Sequence, residues 1–186
     1  MSKNLDLGTT IPDFELPDEN GALHRLSELQ GDNLLVLNLS RGEHCPRERR
    51  HHAELLRFHE WCALAFTELV SILPNNQHDA YKLKIGTGAR WTFLADEGLE
   101  VQDHFDINEY TDTHHDNAGV PHTLILSPGL VTEKVYVGYW FWGRPSPEQL
   151  WVDLGEITAR TKDDFDPTTP EARAAWEAAR KDAAVA

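Results

Sequence analysis

Apolar residues in this chain fall into short runs whose periods differ, and the periods predict alternating strands and helices. LLVLNLS, residues 34–40, is almost continuously apolar and lacks turn residues. That pattern belongs to a strand covered on both faces in a parallel or mixed sheet, and it is expected to be central. Next, RERRHHAELLRFHEWCALA places Leu55, Phe58, Cys62 and Ala65 at helical spacing, a buried stripe on a helix that starts at Pro46. Proline is tolerated there because an N–H at the first helical position has no partner to lose. TELVSIL (67–73) is the next strand, followed by a polar helical stretch over 77–85, a short strand in WTFLAD (91–96) and a further helix in GLEVQDHF.

NEYTDTHHDNAG is a polar loop. VPHTLILS, the PG turn and LVTEKVYVGYW then form a hairpin. At the N-terminus, IPDFELPDENGALHRLSEL predicts a strand near Phe14, a turn over 18–21, a second strand at Leu23 and a helical turn opened by Ser27. Pro145 and Ser146 introduce a helix through about Ile157, TKDDFDPTT links, and Thr169 with Pro170 caps a final Ala- and Glu-rich helix that carries Trp176. The expected organisation is an α/β domain over 1–160, followed by a linker and helix over 161–186. Its mixed sheet has an antiparallel edge supplied by the late hairpin.

Length and charge narrow the partners. The 186 residues suffice for one well-packed core. A formal charge of -14 repels phosphate backbones and anionic membranes, so neither nucleic acid nor lipid is an expected partner. MSKNLDLGTT lacks the apolar region of a secretory signal, and the expected location is the cytoplasm. Two cysteines are too few for a disulfide framework or a metal knuckle.

Cys45 precedes the predicted helix, where unpaired N–H groups and the helix dipole favour a thiolate. Residues 41–52 also hold four arginines against two glutamates in an otherwise acidic chain. Cys62 lies on the buried stripe and is expected to be core. Seventeen residues of helix would separate the two by roughly 25 Å, whereas a disulfide needs Cα atoms within about 7 Å. The chemistry, if present, uses one cysteine, and its sulfenic acid would be reduced by an outside thiol or a second subunit.

PDFELPDENG, LLVLNLSRG running into CPRE, GVPHTLILSPG and YWFWGRPSPEQL together resemble the peroxiredoxin-like branch of the thioredoxin fold, over roughly residues 8–158. This is the group labelled alkyl hydroperoxide reductase, thiol-specific antioxidant or redoxin. The resemblance implies a thioredoxin-like mixed sheet flanked by helices, with an N-terminal β-hairpin and a C-terminal helical extension. It also implies Cys45 as the reactive thiol, Glu48 in the first helical turn, Pro121 facing the thiol from the thioredoxin cis-proline position, and Arg144 as a secondary arginine. Peroxiredoxins carry proline seven residues and threonine three residues before the cysteine. Here those positions hold Asn38 and Gly42, and Pro121 stands near where the family keeps its strand arginine. Arg41 is the candidate replacement for that charge, and Glu48 in place of a second cysteine excludes CxxC exchange.

Other residues have blander expectations. DTHHD (112–116) is expected to be a solvated loop rather than a metal site, because adjacent histidines diverge. His44, His51 and His52 are expected on an exposed helix face, with tuning of the thiol as the alternative. Whether His122 faces the site stays open, as does the role of the aromatics in YWFWGR: core corner, subunit contact or pocket wall. The resulting expectation is a single-cysteine thiol oxidoreductase that reduces peroxide-type substrates with an external thiol, without cofactor or metal, and a homodimer is open to it. The alternatives are a non-catalytic binding module of the same fold and a single-cysteine thiol transferase.

Overall fold

A computed structural model describes residues 2–115, 117–138, 143–162, 166, 168–174 and 177. The aromatics at 139–142, Asp116 and Trp176 lie outside the described residues. Among those described, a two-stranded antiparallel sheet joins β1 (Glu15–Pro17) to β2 (Leu23–Arg25). A five-stranded sheet runs in the order β5-β4-β3-β6-β7. Its members are β3 (Leu34–Leu39), β4 (Thr67–Leu73), β5 (Thr92–Ala95), β6 (His122–Ser127) and β7 (Val131–Val137). β3, β4 and β5 are parallel, while β6 pairs antiparallel with β3 and β7 with β6. The helices are α1 (Leu26–Gln30), α2 (Pro46–Cys62), α3 (Gln77–Thr87), α4 (Glu100–Phe105) and α5 (Pro147–Thr161). Among the described residues, no helix is long and apolar enough to cross a membrane.

The continuous apolar run of β3 has the expected cause: alternate residues serve two cores. Leu34 and Val36 point into a cluster with Leu55 and Phe58 of α2 and Leu150 and Leu154 of α5. Leu35, Leu37 and Leu39 point into a second cluster with Leu26, Val101 and Phe105. All six residues of β3 are buried. Asn38, in step with Leu34 and Val36, therefore turns its amide toward α2 at the carboxyl end of the central strand.

Several element ends differ in detail from the sequence reading. Ser27 lies inside α1 and donates through its N–H and Oγ to the Asp13 carboxylate, at 2.9 and 2.7 Å, while Arg25 is the N-cap. Ala65 falls in a 3-10 turn beyond α2 and is only partly buried, because the helix ends at Cys62. Ser146 caps α5 by accepting from the N–H of Gln149. Further on, Thr169 accepts from Ala172 at the start of a helical turn over 170–174.

Candidate active site

Cys45 is the N-cap of α2, immediately beyond the carboxyl end of β3, with Pro46 as the first helical residue. Its carbonyl accepts from the N–H groups of Glu48 and Arg49, and its own N–H donates to the Gly42 carbonyl. Cys45 is 7% exposed and lines a cavity of about 440 Å³, whose walls also include Arg41, His44, Arg47, Pro121 and Arg144. Cys45 and three of the other four expected site residues thus share one cavity. The fourth, Glu48, lies beneath it. Pro121 follows a trans peptide, no described peptide being cis.

Glu48 is wholly buried and binds the Arg144 guanidinium, with Nε donating to its Oε1 at 2.6 Å. Its other oxygen accepts from Ser40 Oγ at 2.9 Å, and Ser40 Oγ in turn accepts from the Gly42 N–H. Burial alone would raise the Glu48 carboxyl, but the opposing Arg144 charge holds it below its ordinary value. A charge is retained inside the protein because it is paired and hydrogen-bonded on both oxygens.

The helix face behind Cys45 is polar and buried, contrary to the expectation that His51 and His52 are exposed. They are 3% and 0% exposed. His52 Nδ1 lies 2.8 Å from the Glu48 carbonyl, which can only accept, so Nδ1 carries the proton and Nε2 accepts from Asn38 Nδ2 and Ser71 Oγ, at 3.2 and 3.1 Å. Sheet register explains the convergence, since Asn38 is paired with Ser71 on one side and Thr123 on the other. Thr123 Oγ1 donates to Asn38 Oδ1, and Trp91 Nε1 donates to Ser71 Oγ. His51 donates through Nε2 to the Pro145 carbonyl, tying the segment that bears Arg144 to α2. Burial pushes His51 down to about 4, so its imidazole is neutral at pH 7.

The arginine excess seen in the sequence is largely neutralised in space. Arg41 binds Asp112 at 2.6 Å and Glu109 at 3.4 Å. Arg49 pairs with Glu43, and Arg50 with Glu54. Glu109 and Asp112 belong to a loop over 107–120 whose ends are closed by backbone bonds from Glu109 to Ala118 and from Val120 to Ile107. The loop is not simply solvated. His114 and His115 are exposed, but the Asp112 side chain is 9% accessible and His115 stacks on His44 with ring centroids 4.0 Å apart. His122 is buried, donates through Nδ1 to the Val120 carbonyl, and is not among the residues lining the cavity. Cys62 lies buried at the far end of α2, where burial and then Glu68 push its thiol up to about 12.

A thiol at the start of a helix thus shares one cavity with an arginine held by a buried glutamate. The AhpC/TSA family model matches residues 7–134. The chain belongs to the AhpC/TSA family. Solved structures of peroxiredoxins share its fold at low identity. Peroxidoxin BcpB from Mycobacterium tuberculosis is 19% identical with a TM-score of 0.71, covering 84% of this chain and 98% of that one. A mutant of Peroxiredoxin 6 of Arenicola marina is 16% identical with a TM-score of 0.71, covering 86% and 77%. Reduced Prx3 from Vibrio vulnificus in complex with hydrogen peroxide is 16% identical with a TM-score of 0.71, covering 80% and 98%. No curated protein matches the sequence.

Within this AhpC/TSA member, the family's threonine position has a backbone conformation that strains any residue but glycine. Gly42 has φ +133°, and a Cβ there would meet His44 Cε1 at 2.8 Å. The family's proline position holds Asn38, which binds His52 instead. Sequence reasoning missed Ser40, and it named Asn38, His51 and His52 without foreseeing their burial or the bonds they make. The signal was available in the stripe of α2: Glu48, His51, His52, Leu55, Phe58 and Cys62 are all buried on that helix, so the apolar face continues upstream as a polar one.

Proposed function

We propose that Cys45 is the peroxidatic thiol of a single-cysteine peroxide reductase. The observation that carries this is Cys45 at the N-cap of α2, in the same cavity as an Arg144 side chain held by the buried Glu48. The thiolate sulfur attacks the distal oxygen of a hydroperoxide, the O–O bond breaks, and Cys45 leaves as sulfenic acid while the departing alkoxide or hydroxide takes a proton. Arg144 and the helix N-terminus face the charge that grows on that oxygen. Glu48 is a positioning residue, holding Arg144 through its carboxylate and the Cys45 loop through Ser40. Arg41 lines the same cavity in a largely neutralised ion cluster, which supports an orienting role more than that of a bare positive charge.

An external thiol then displaces water from the sulfenic acid to give a mixed disulfide, and a second thiol releases the disulfide product and restores Cys45. Small hydroperoxides suit a cavity of this size, and the complex of the Vibrio vulnificus relative with hydrogen peroxide supports the choice. The reducing cytoplasm fits the need for a thiol donor, and a homodimer is compatible with it. The test is peroxide consumption with dithiothreitol as reductant. Turnover lost in Cys45→Ser and retained in Cys62→Ser supports the proposal. Turnover that survives in Cys45→Ser overturns it, and rapid disulfide exchange without peroxide consumption reassigns Cys45 to thiol transfer.

A further inference from the structure

Two imidazoles and a carboxylate meet at the cavity that holds Cys45. His44 comes from the loop before α2, and Asp112 and His115 from the 107–120 loop. One donor atom from each lies within 4.8 Å of the others. His44 Nε2 is buried without a hydrogen-bond partner, an uncommon condition for a ring nitrogen. His115 is oriented by its own Nδ1 at 3.0 Å from Asp112 Oδ2, and the Asp112 carboxylate is braced by the N–H groups of His114 and His115. Nothing in the peroxide chemistry above uses these three residues.

We propose that His44, Asp112 and His115 bind a divalent transition metal of the Zn²⁺ class at the mouth of the Cys45 cavity. Two histidine nitrogens and one carboxylate oxygen are an ordinary donor set for such an ion, which accepts a fourth ligand from water. Zinc–nitrogen and zinc–oxygen bonds of about 2 Å set tetrahedral donors about 3.3 Å apart, so donors now within 4.8 Å of one another reach the ion by side-chain rotations that part the two stacked rings. Charge permits the exchange. Arg41 now pairs with both Asp112 and Glu109, and it keeps Glu109 as a partner when Asp112 turns to the cation. All three residues line the cavity that Cys45 lines, so a bound ion would occupy part of the space through which the thiol is reached. The adjacent His114 takes no part, consistent with neighbouring histidines pointing apart.

Co²⁺ titration of the reduced, chelator-treated full chain tests this by visible absorption, with Zn²⁺ as competitor. The Cys45→Ser background keeps the result independent of peroxide turnover. The expected result is saturation at one equivalent, displacement by Zn²⁺, and binding weakened by about a hundredfold in His44→Ala and in His115→Ala but retained in His114→Ala. Asp112→Asn is expected to weaken it as well. His115 lies on an exposed loop, so its removal does not endanger the fold, and far-ultraviolet circular dichroism checks each variant. In the unsubstituted chain, Zn²⁺ slows alkylation of Cys45. Absence of one-equivalent saturation, or binding that persists in both His44→Ala and His115→Ala, overturns the site.

Discussion

At position 42 a single backbone angle decides a chemical question. With φ +133°, a residue carrying a Cβ is strained here, and the His44 ring, 2.8 Å from where that Cβ would sit, would also have to move aside. Gly42→Thr is therefore expected to destabilise the fold by about 1–3 kcal/mol and not to raise the rate of peroxide reaction. Urea denaturation and a peroxide assay on the same variant check both halves. A second residue-scale expectation concerns acid. Burial keeps His51 neutral, so the folded state resists the proton that the unfolded chain takes up near the ordinary value of 6.5. Stability is lost as pH falls from 6.5 to about 4, and this group contributes no further loss below that. The effect is on the order of 3 kcal/mol. Denaturation measured across that window should show the loss in the unsubstituted chain and a smaller one in His51→Gln.

At the scale of elements, α2 organises the site by carrying Cys45 at its tip and a buried polar stripe beneath it. Glu48 binds Arg144, His51 binds the Pro145 carbonyl, and His52 binds Asn38 and Ser71 on the sheet. Breaking a buried ion pair by removing one charge costs about 3–5 kcal/mol. Glu48→Gln should approach that range by chemical denaturation and should slow oxidation of Cys45 by peroxide, since Arg144 is no longer held. Most elements were readable in the sequence because their apolar periods are strong: β4 falls on TELVSIL and α2 starts at Pro46. The polar face of α2 was not, because histidine and glutamate lack an apolar signature and their burial depends on partners from two strands and a distant loop. Likewise, DTHHD contributes Asp112 and His115 to a cluster whose third member, His44, lies about seventy residues away; only the closed 107–120 loop brings them together.

For the whole molecule, α2 keeps the two cysteines apart by its own length, with Cys45 capping one end and Cys62 closing the other. Seventeen helical residues span roughly 25 Å, and the Cys62 thiol is buried and raised to about 12. Peroxide treatment without thiol should therefore add one oxygen and then more at Cys45, and intact-mass measurement should find no intrachain disulfide. The paired arginines teach the same lesson at this scale. An excess of positive charge along twelve residues of sequence does not survive as a positive field once Glu43, Glu54, Glu109 and Asp112 are folded against it.

The central claim is that Cys45 reacts with peroxide as a site rather than as an ordinary thiol, and its reaction rate is the most direct test. Stopped-flow mixing of the reduced protein with hydrogen peroxide, followed by tryptophan fluorescence, gives that rate for the unsubstituted chain, Cys62→Ser and Cys45→Ser. Oxidation far faster than that of free cysteine, unchanged in Cys62→Ser and absent in Cys45→Ser, is the predicted result. A rate no greater than that of free cysteine contradicts the account, and leaves the AhpC/TSA fold here without its peroxidatic chemistry.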